Sequence, residues 1–315
     1  MVFTSTSHLL SMKKHQLQAL VAVAEHGSIR RAANAVALSQ TALTKALREL
    51  ELDLQAALLQ RSPQGVRLTP IGLQLLHHAK LILAEMDEAR ASVRHLLGLG
   101  DPPVKVAVTP TFSLLCLAET VARFRTRFAQ APLSIRDAFL SQTLPMLRDG
   151  TIDLAITAVM PEVLGSDLSF EALGTLEITL AGRLDELGPG PQSLKTLAQA
   201  APWLLDSSTG GTSEAVRRWL AQHGVTELPQ IIECPSSMAS LVLSTQGQAI
   251  VPTPRAILSV PWLAHFHREI KVAEPLPQLP IGIVVRKGHR LDGPAEWFAE
   301  CARLELRQTL GHVSA

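Results

Sequence analysis

Apolar residues return with helical spacing three times within the first fifty or so positions. Leu17, Leu20, Val21 and Ala24 fall at i, i+3, i+4 and i+7, and Gly27 follows where a helix ends in the left-handed region. Ser28 stands as the cap of a second helix in which Ile29, Ala32, Ala33 and Val36 keep the rhythm. Ser39 caps a third, with Leu43, Ala46, Leu47 and Leu50 facing inward. Ala32 and Ala33 are small enough for two helices to approach closely across the short Ala37-Leu38 turn, as a helix-turn-helix requires. Gln40, Thr41, Thr44, Lys45 and Arg48 then form one outward polar face. Residues 58–61 and 66–69 read as two short strands around Ser62-Pro63-Gln64-Gly65, which is a wing.

Thr69 as cap and Pro70 at the first helical position open a longer helix over 70–97, interrupted only by the early Gly72. At ~1.5 Å per residue it spans on the order of 40 Å. Ile71, Leu75, Ala79, Ile82, Met86, Val93 and Leu97 form a stripe that calls for a second helix, so the chain is expected to dimerise there. The alternative is packing on its own domain alone. Residues 98–103 (GLGDPP) are the hinge. Beyond it, strand-like runs at 104–108, 133–135 and 152–157 alternate with helix-like runs at 114–128 and 142–148. A second set follows: strands at 178–181, 203–206, 231–234 and 249–252, and helices near 213–223 and 237–243. This alternation predicts an α/β class with parallel strands and crossover helices. A strand at 281–285 and a helix at 295–306 return to the first set.

The composition, 47% hydrophobic and 18% charged over 315 residues, is that of a globular protein of two or three domains. The net charge of +1 hides a split: residues 1–100 hold 11 Lys+Arg against 7 Asp+Glu, and the remainder 18 against 21. A basic head on a mildly acidic body suits a polyanion partner for the head. Cys116, Cys234 and Cys301 lack metal or disulfide spacing and read as buried thiols of a reducing cytoplasm. No run approaches ~20 apolar residues, and the start lacks a signal-peptide core, so a cytoplasmic location without a membrane partner is expected. Residues 1–11 show no periodicity and read as a disordered extension or the product of an upstream start codon, without assigned function.

The outward face of the third helix has major-groove chemistry. Gln can bond adenine N6/N7, Arg or Lys can bond guanine O6/N7, and a Thr methyl can touch thymine's. The helix N-terminus favours a phosphate. Arg61 and Arg67 on the wing suit backbone phosphate or a minor groove. Without the surrounding motif, the same residues would be a solvated face.

The segment AEHGSIRRAANAVALSQTALTKALRELE, followed by LLQR and GVRLTPIG, resembles the DNA-binding domain of the LysR-type transcriptional regulators. That family usually opens its recognition helix Ser-Gln-Pro-Ala; here Thr41 replaces the Pro, Thr44 a later Ser, and Gln55 the usual Gly after the third helix. GTIDLAIT at 150–157 is similar to the family's recurring turn and strand. The resemblance implies an all-α winged helix-turn-helix over 12–69, a linker and dimerisation helix over 70–97, and the hinge. It also implies a two-lobed periplasmic-binding-protein-like (type II) effector domain, with subdomain I at 104–162 and 267–310 and subdomain II at 163–266. The DNA contacts it implies are Ser39, Gln40, Thr41, Thr44, Lys45 and Arg48, with Arg30, Arg31, Arg61 and Arg67 beside them. The implied partners are double-stranded DNA bearing an interrupted inverted repeat, a second copy of the chain, two such dimers in a tetramer, and RNA polymerase.

Ligands of open α/β sheets sit where strands end and helices begin. The expected effector contacts are therefore Thr109, Thr111, Phe112, Ser141, Gln142, Thr157, Thr209, Gly210 and Ser236. Hydroxyls and helix N-termini suit an organic carboxylate or sulfonate, and Phe112 can stack on an aromatic ring. Ordinary capping is the alternative for each residue. No cofactor is implied, and His77, His78, His265 and His267 lack the further ligands of a metal site. GxSxG, Walker A and HExxH motifs are missing, and no GxGxxG follows a strand, so a non-enzymatic regulator is favoured. An α/β enzyme or solute-binding module with an accessory DNA-binding head is the alternative. A nonspecific architectural DNA binder would call for a more basic surface.

Overall fold

The computed structural model describes residues 12–62, 65–182, 184, 190–246, 249–263 and 267–313. The expectation for residues 1–11 lies outside them. The chain forms two compact units, the first reaching Val93 and the second beginning at Arg94.

The first unit opens with α1 (Lys14–His26), α2 (Ile29–Ala35) and α3 (Gln40–Leu54). Their core is Leu17, Leu20, Val23, Ala32, Ala33 and the Leu43/Ala46/Leu47/Leu50 stripe. On α1 the deepest positions are Leu17, Leu20 and Val23 together with Ala19 and Ala22, whereas Val21 and Ala24 are only half-buried. Gly27 ends α1 at φ +60, and its N–H donates to the Val23 carbonyl at 2.9 Å. Ser39 caps α3, its Oγ accepting from Ala42 N at 3.1 Å. Gln55, where the family pattern has Gly, terminates α3 in the same left-handed region at φ +50. β1 (Leu59–Ser62) and β2 (Gly65–Leu68) pair antiparallel as the wing. α4 (Pro70–Leu96) starts on Thr69, whose Oγ1 accepts from Gly72 N at 3.0 Å and donates to the Ala57 carbonyl at 2.8 Å. Gly72 is required because a Cβ there would fall on the Leu58 carbonyl. Along α4, Ala79, Leu75 and Leu83 pack on this core, whereas Ile82, Met86 and Val93 stay exposed.

The second unit alternates β3 (Val104–Val108), α5 (Pro110–Leu115), α6 (Leu117–Arg127), β4 (Leu133–Asp137), α7 (Leu140–Arg148) and β5 (Leu154–Ala158). β3 pairs in parallel with both β4 and β5. The single helix expected at 114–128 is two, broken at Cys116 (φ −131). β6 (Leu168–Gly182) was expected only from 178, yet it runs fifteen residues and belongs to both lobes. Its first part pairs with β11 (Gln278–Arg286), and its end pairs with β9 (Val251–Pro254) and β10 (Arg268–Ile270). Lobe boundaries at 162/163 and 266/267 therefore both fall too early: the chain leaves lobe I inside this strand, and β10, paired with its far end, still precedes the return through β11. Lobe II adds α8 (Leu194–Ala200), the parallel pair β7 (Trp203–Leu205) and β8 (Ile231–Glu233), α9 (Thr212–Gln222) and α10 (Ser237–Gln246). α11 (Gly293–Val313) returns to lobe I, where Phe298 meets Phe124 edge-on at 5.6 Å between ring centres. The three cysteines are buried; burial raises the Cys116 thiol and pushes Cys301 up to about 11, so neither is a ready nucleophile.

Candidate DNA-reading face and effector cleft

On α3 the inward stripe leaves Gln40, Thr41, Lys45 and Arg48 exposed and Thr44 half-exposed along one side. Helical periodicity places them there: once Leu43, Ala46, Leu47 and Leu50 are buried, the 3.6-residue repeat turns these side chains away. Ser39 also shares a hydrogen bond with Thr41, Oγ to Oγ1 at 2.9 Å, so these two hydroxyls order the start of the helix. Lys45 lies 3.9 Å from Glu49, a loose exposed pair that leaves the ammonium available. Arg30 and Arg31 are exposed on α2, and Arg67 is exposed on β2. The Arg61 side chain lies outside the described residues. Val66 N donates to the Gly27 carbonyl at 3.1 Å, which ties the wing to the α1–α2 turn.

One residue that the sequence did not single out fixes this arrangement. Glu51 on α3 accepts from Leu58 N at 2.8 Å and Leu59 N at 3.1 Å through the same Oε1, anchoring the first wing strand to the helix. A glutamate eight positions from its partner in an irregular segment carries no periodic signal.

Within the second unit a cleft of about 430 Å³ lies between the lobes. Thr109, Thr111 and Thr157 line it, gathered from the ends of β3 and β5 and the start of α5. The other expected contacts do not. Phe112 is fully buried in the lobe I core, because α5 turns that position inward, and it offers no ring to a ligand. Ser141, Gln142, Thr209 and Ser236 are exposed and do not line it, although Ser141 bonds the lining residue Ser208; the Ser236 Oγ accepts from Ala239 N at 3.3 Å. Gly210 serves the turn before α9 at φ +81, its carbonyl accepting from Met160 N at 2.8 Å.

Asp206, Ser208, Ser213, Ser244 and His267 supply most of the remaining polar wall, with Asp137. Asp206 is buried, and its carboxylate accepts from Ser208 N at 2.7 Å and Ser213 Oγ at 2.6 Å. Glu214 accepts from Gly210 N at 2.6 Å, and that bond, with Arg218, holds its carboxyl below the usual range. Asp137 accepts from Ser237 Oγ at 2.5 Å, and Ser208 Oγ donates to Ser141 Oγ at 3.2 Å, so both bonds join lobe I to lobe II. His267 shares a 2.5 Å bond with Ser244 through Nε2, and burial lowers its pKa. Its Nδ1 and the Thr109 Oγ1 are buried without partners among the described residues. Leu114, Leu241, Ile257, Trp262 and Leu263 make one end of the cleft hydrophobic. No lysine or arginine is among the described lining residues.

Residues 15–73 match the family described as a bacterial regulatory helix-turn-helix protein, lysR family, and residues 98–307 match the LysR substrate binding domain. The transcriptional regulator TdcA of Escherichia coli K12 is 27% identical over 299 residues, 94% of each chain. PcaQ of Agrobacterium fabrum is 30% identical over 227 residues, covering 71% of this chain and 73% of that protein. Among solved structures, CbnR, a LysR family transcriptional regulator, aligns at a TM-score of 0.67 with 21% identity, over 93% of this chain and 99% of that one. Full-length CbnR complexed with its target DNA aligns at 0.65, with 22% identity and the same coverage. These two structures bear on the fold.

Proposed function

Because the chain belongs to the LysR family of bacterial regulators, both of whose domains it carries, we propose that it reads an interrupted inverted repeat as a dimer and couples that reading to a small molecule in the interlobe cleft. It is a DNA-binding transcription regulator with an effector-binding domain, and its relatives are transcriptional regulators rather than enzymes. The observation that carries the DNA reading is the exposed Gln40/Thr41/Thr44/Lys45/Arg48 side of α3, with Ser39 at its start. Arg30, Arg31, Arg61 and Arg67 would add phosphate contacts that position more than they specify.

The exposed Ile82, Met86 and Val93 on α4 support self-association through that helix, since a helix of this length rarely leaves such residues in water. Two heads on one two-fold axis call for two related half-sites. Pairing of dimers into a tetramer, contact with RNA polymerase, and a cytoplasmic location follow from the family reading. Thr109, Thr111 and Thr157 would contact the effector. An organic carboxylate or sulfonate, suggested by the hydroxyl-rich loops, would meet Asp137 and Asp206 without an opposing lysine or arginine among the described lining residues. Effector would act by differential affinity for two arrangements of the lobes.

A footprint over the promoter region beside the chain's own gene tests this reading. Two protected half-sites related by inverted symmetry are expected, centred one helical turn or a multiple of it apart. Protection of a single half-site, or uniform protection, would contradict it.

A further inference from the structure

We infer that the effector carries no negative charge: it is a largely hydrophobic molecule bearing an amine or a neutral hydrogen-bonding group, and the cleft rejects organic carboxylates and sulfonates. This rests on the reading of the cleft as the effector site.

Three donors on the lobe II side of the cleft are already engaged by the chain's own carboxylates. Around the start of α9, Ser208 N–H and Ser213 Oγ are held by Asp206. At the start of α10, Ser237 Oγ is held by Asp137. A ligand carboxylate that drew on these three donors would have to displace those bonds while losing its hydration. It would also approach Asp206, a buried carboxylate on the same wall, and repulsion between like charges grows as water is excluded. Neither lysine nor arginine is among the described lining residues to offset this, and burial favours the neutral form of His267.

The wall instead offers neutral hydrogen-bonding positions. The Thr109 Oγ1 on lobe I and His267 Nδ1 on lobe II are both buried without partners among the described residues, and buried polar atoms normally have one. A hydroxyl or amide can satisfy either, as donor or acceptor, and an ammonium can donate to either. Leu114, Leu241, Ile257 and Leu263 then take an apolar body.

Thermal unfolding of the full chain with 4-phenylbutyrate, 4-phenylbutanamide and 4-phenylbutylamine, three probes that differ mainly in the polar end, tests this. The amide and amine should raise the melting temperature with apparent affinities at least about tenfold above the carboxylate. Leu241→Trp, which fills the apolar end, should abolish those shifts. A carboxylate that binds as tightly as the amide, and is also lost in Leu241→Trp, would refute the charge inference and leave the cleft as the site. Shifts unchanged in a folded Leu241→Trp variant would remove the cleft itself. Failure of both amide and amine to shift the melting point, up to their solubility limits, also overturns the inference. The comparison in the unaltered chain stands if the variant does not fold.

Discussion

The Glu51 carboxylate accepts the backbone N–H groups of both Leu58 and Leu59, at 2.8 and 3.1 Å, so one side chain of the recognition helix holds the first residues of the wing. Leu58 is fully buried, which makes a freed amide there expensive. Glu51→Ala should destabilise the head by about 1–3 kcal/mol, and Glu51→Gln, which keeps a carbonyl acceptor, should recover much of that. All four tryptophans lie at 203, 219, 262 and 297, so fluorescence does not report on the head. Hydrogen exchange at the Leu58 and Leu59 amides does, and unchanged protection in Glu51→Ala would refute the anchor.

Gln55 closes α3 at φ +50. The left-handed conformation costs a residue with a Cβ about 1–2 kcal/mol, and the extra freedom of unfolded glycine offsets about 0.4–1 of it. Gln55→Gly should therefore stabilise the head by roughly 0.5–1 kcal/mol. Urea unfolding followed by helical circular dichroism measures this, and a loss of stability would show that the Gln55 side chain makes a contact worth more than the strain.

Gly72 sits where the start of α4 crosses the Leu58 carbonyl. Backbone cannot step aside as a flexible side chain can, so Gly72→Ala should cost about 1–3 kcal/mol and weaken DNA binding through the wing. A variant that unfolds at the same urea concentration as the parent would contradict the close approach.

Much of the head was legible because its signals are local. Leu43, Ala46, Leu47 and Leu50 on one helix fix which side of α3 is buried, and with it which side is free. Thr69 and Pro70 mark the start of α4 within two residues. The cleft was less legible because its chemistry is made by pairs far apart in sequence. Asp137 and Ser237 are a hundred residues apart, and Ser244 and His267 are 23 apart. β6 was underestimated because Gly174 and a register shift opposite Ile281/Gly282 interrupt its alternation. Phe112 was misplaced because the face of a six-residue helix is set by what packs on it, too short a span for periodicity to decide.

His267 gives the effector domain a pH signature. Its pKa is near 6.5 unfolded and lower folded. The unfolded chain therefore takes up the proton first as pH falls. This component of stability is complete above about pH 6.5 and is lost progressively as pH drops toward the folded value. Tryptophan-monitored melting should show a smaller decline between neutral and mildly acidic pH in His267→Asn than in the parent. Equal declines would mean that the imidazole is not the group responsible.

Whether α3 reads a specific sequence is tested most directly by DNA affinity at stated salt. The purified chain is titrated against the promoter region beside its own gene and against a random duplex, with a Gln40→Ala/Arg48→Ala variant in parallel. Preference for the promoter by about 10³-fold or more is expected, falling by one to several orders of magnitude in the variant as base contacts worth about 1–3 kcal/mol each are lost. Equal binding to both duplexes, or a variant that retains the parent's preference, would contradict specific reading by α3.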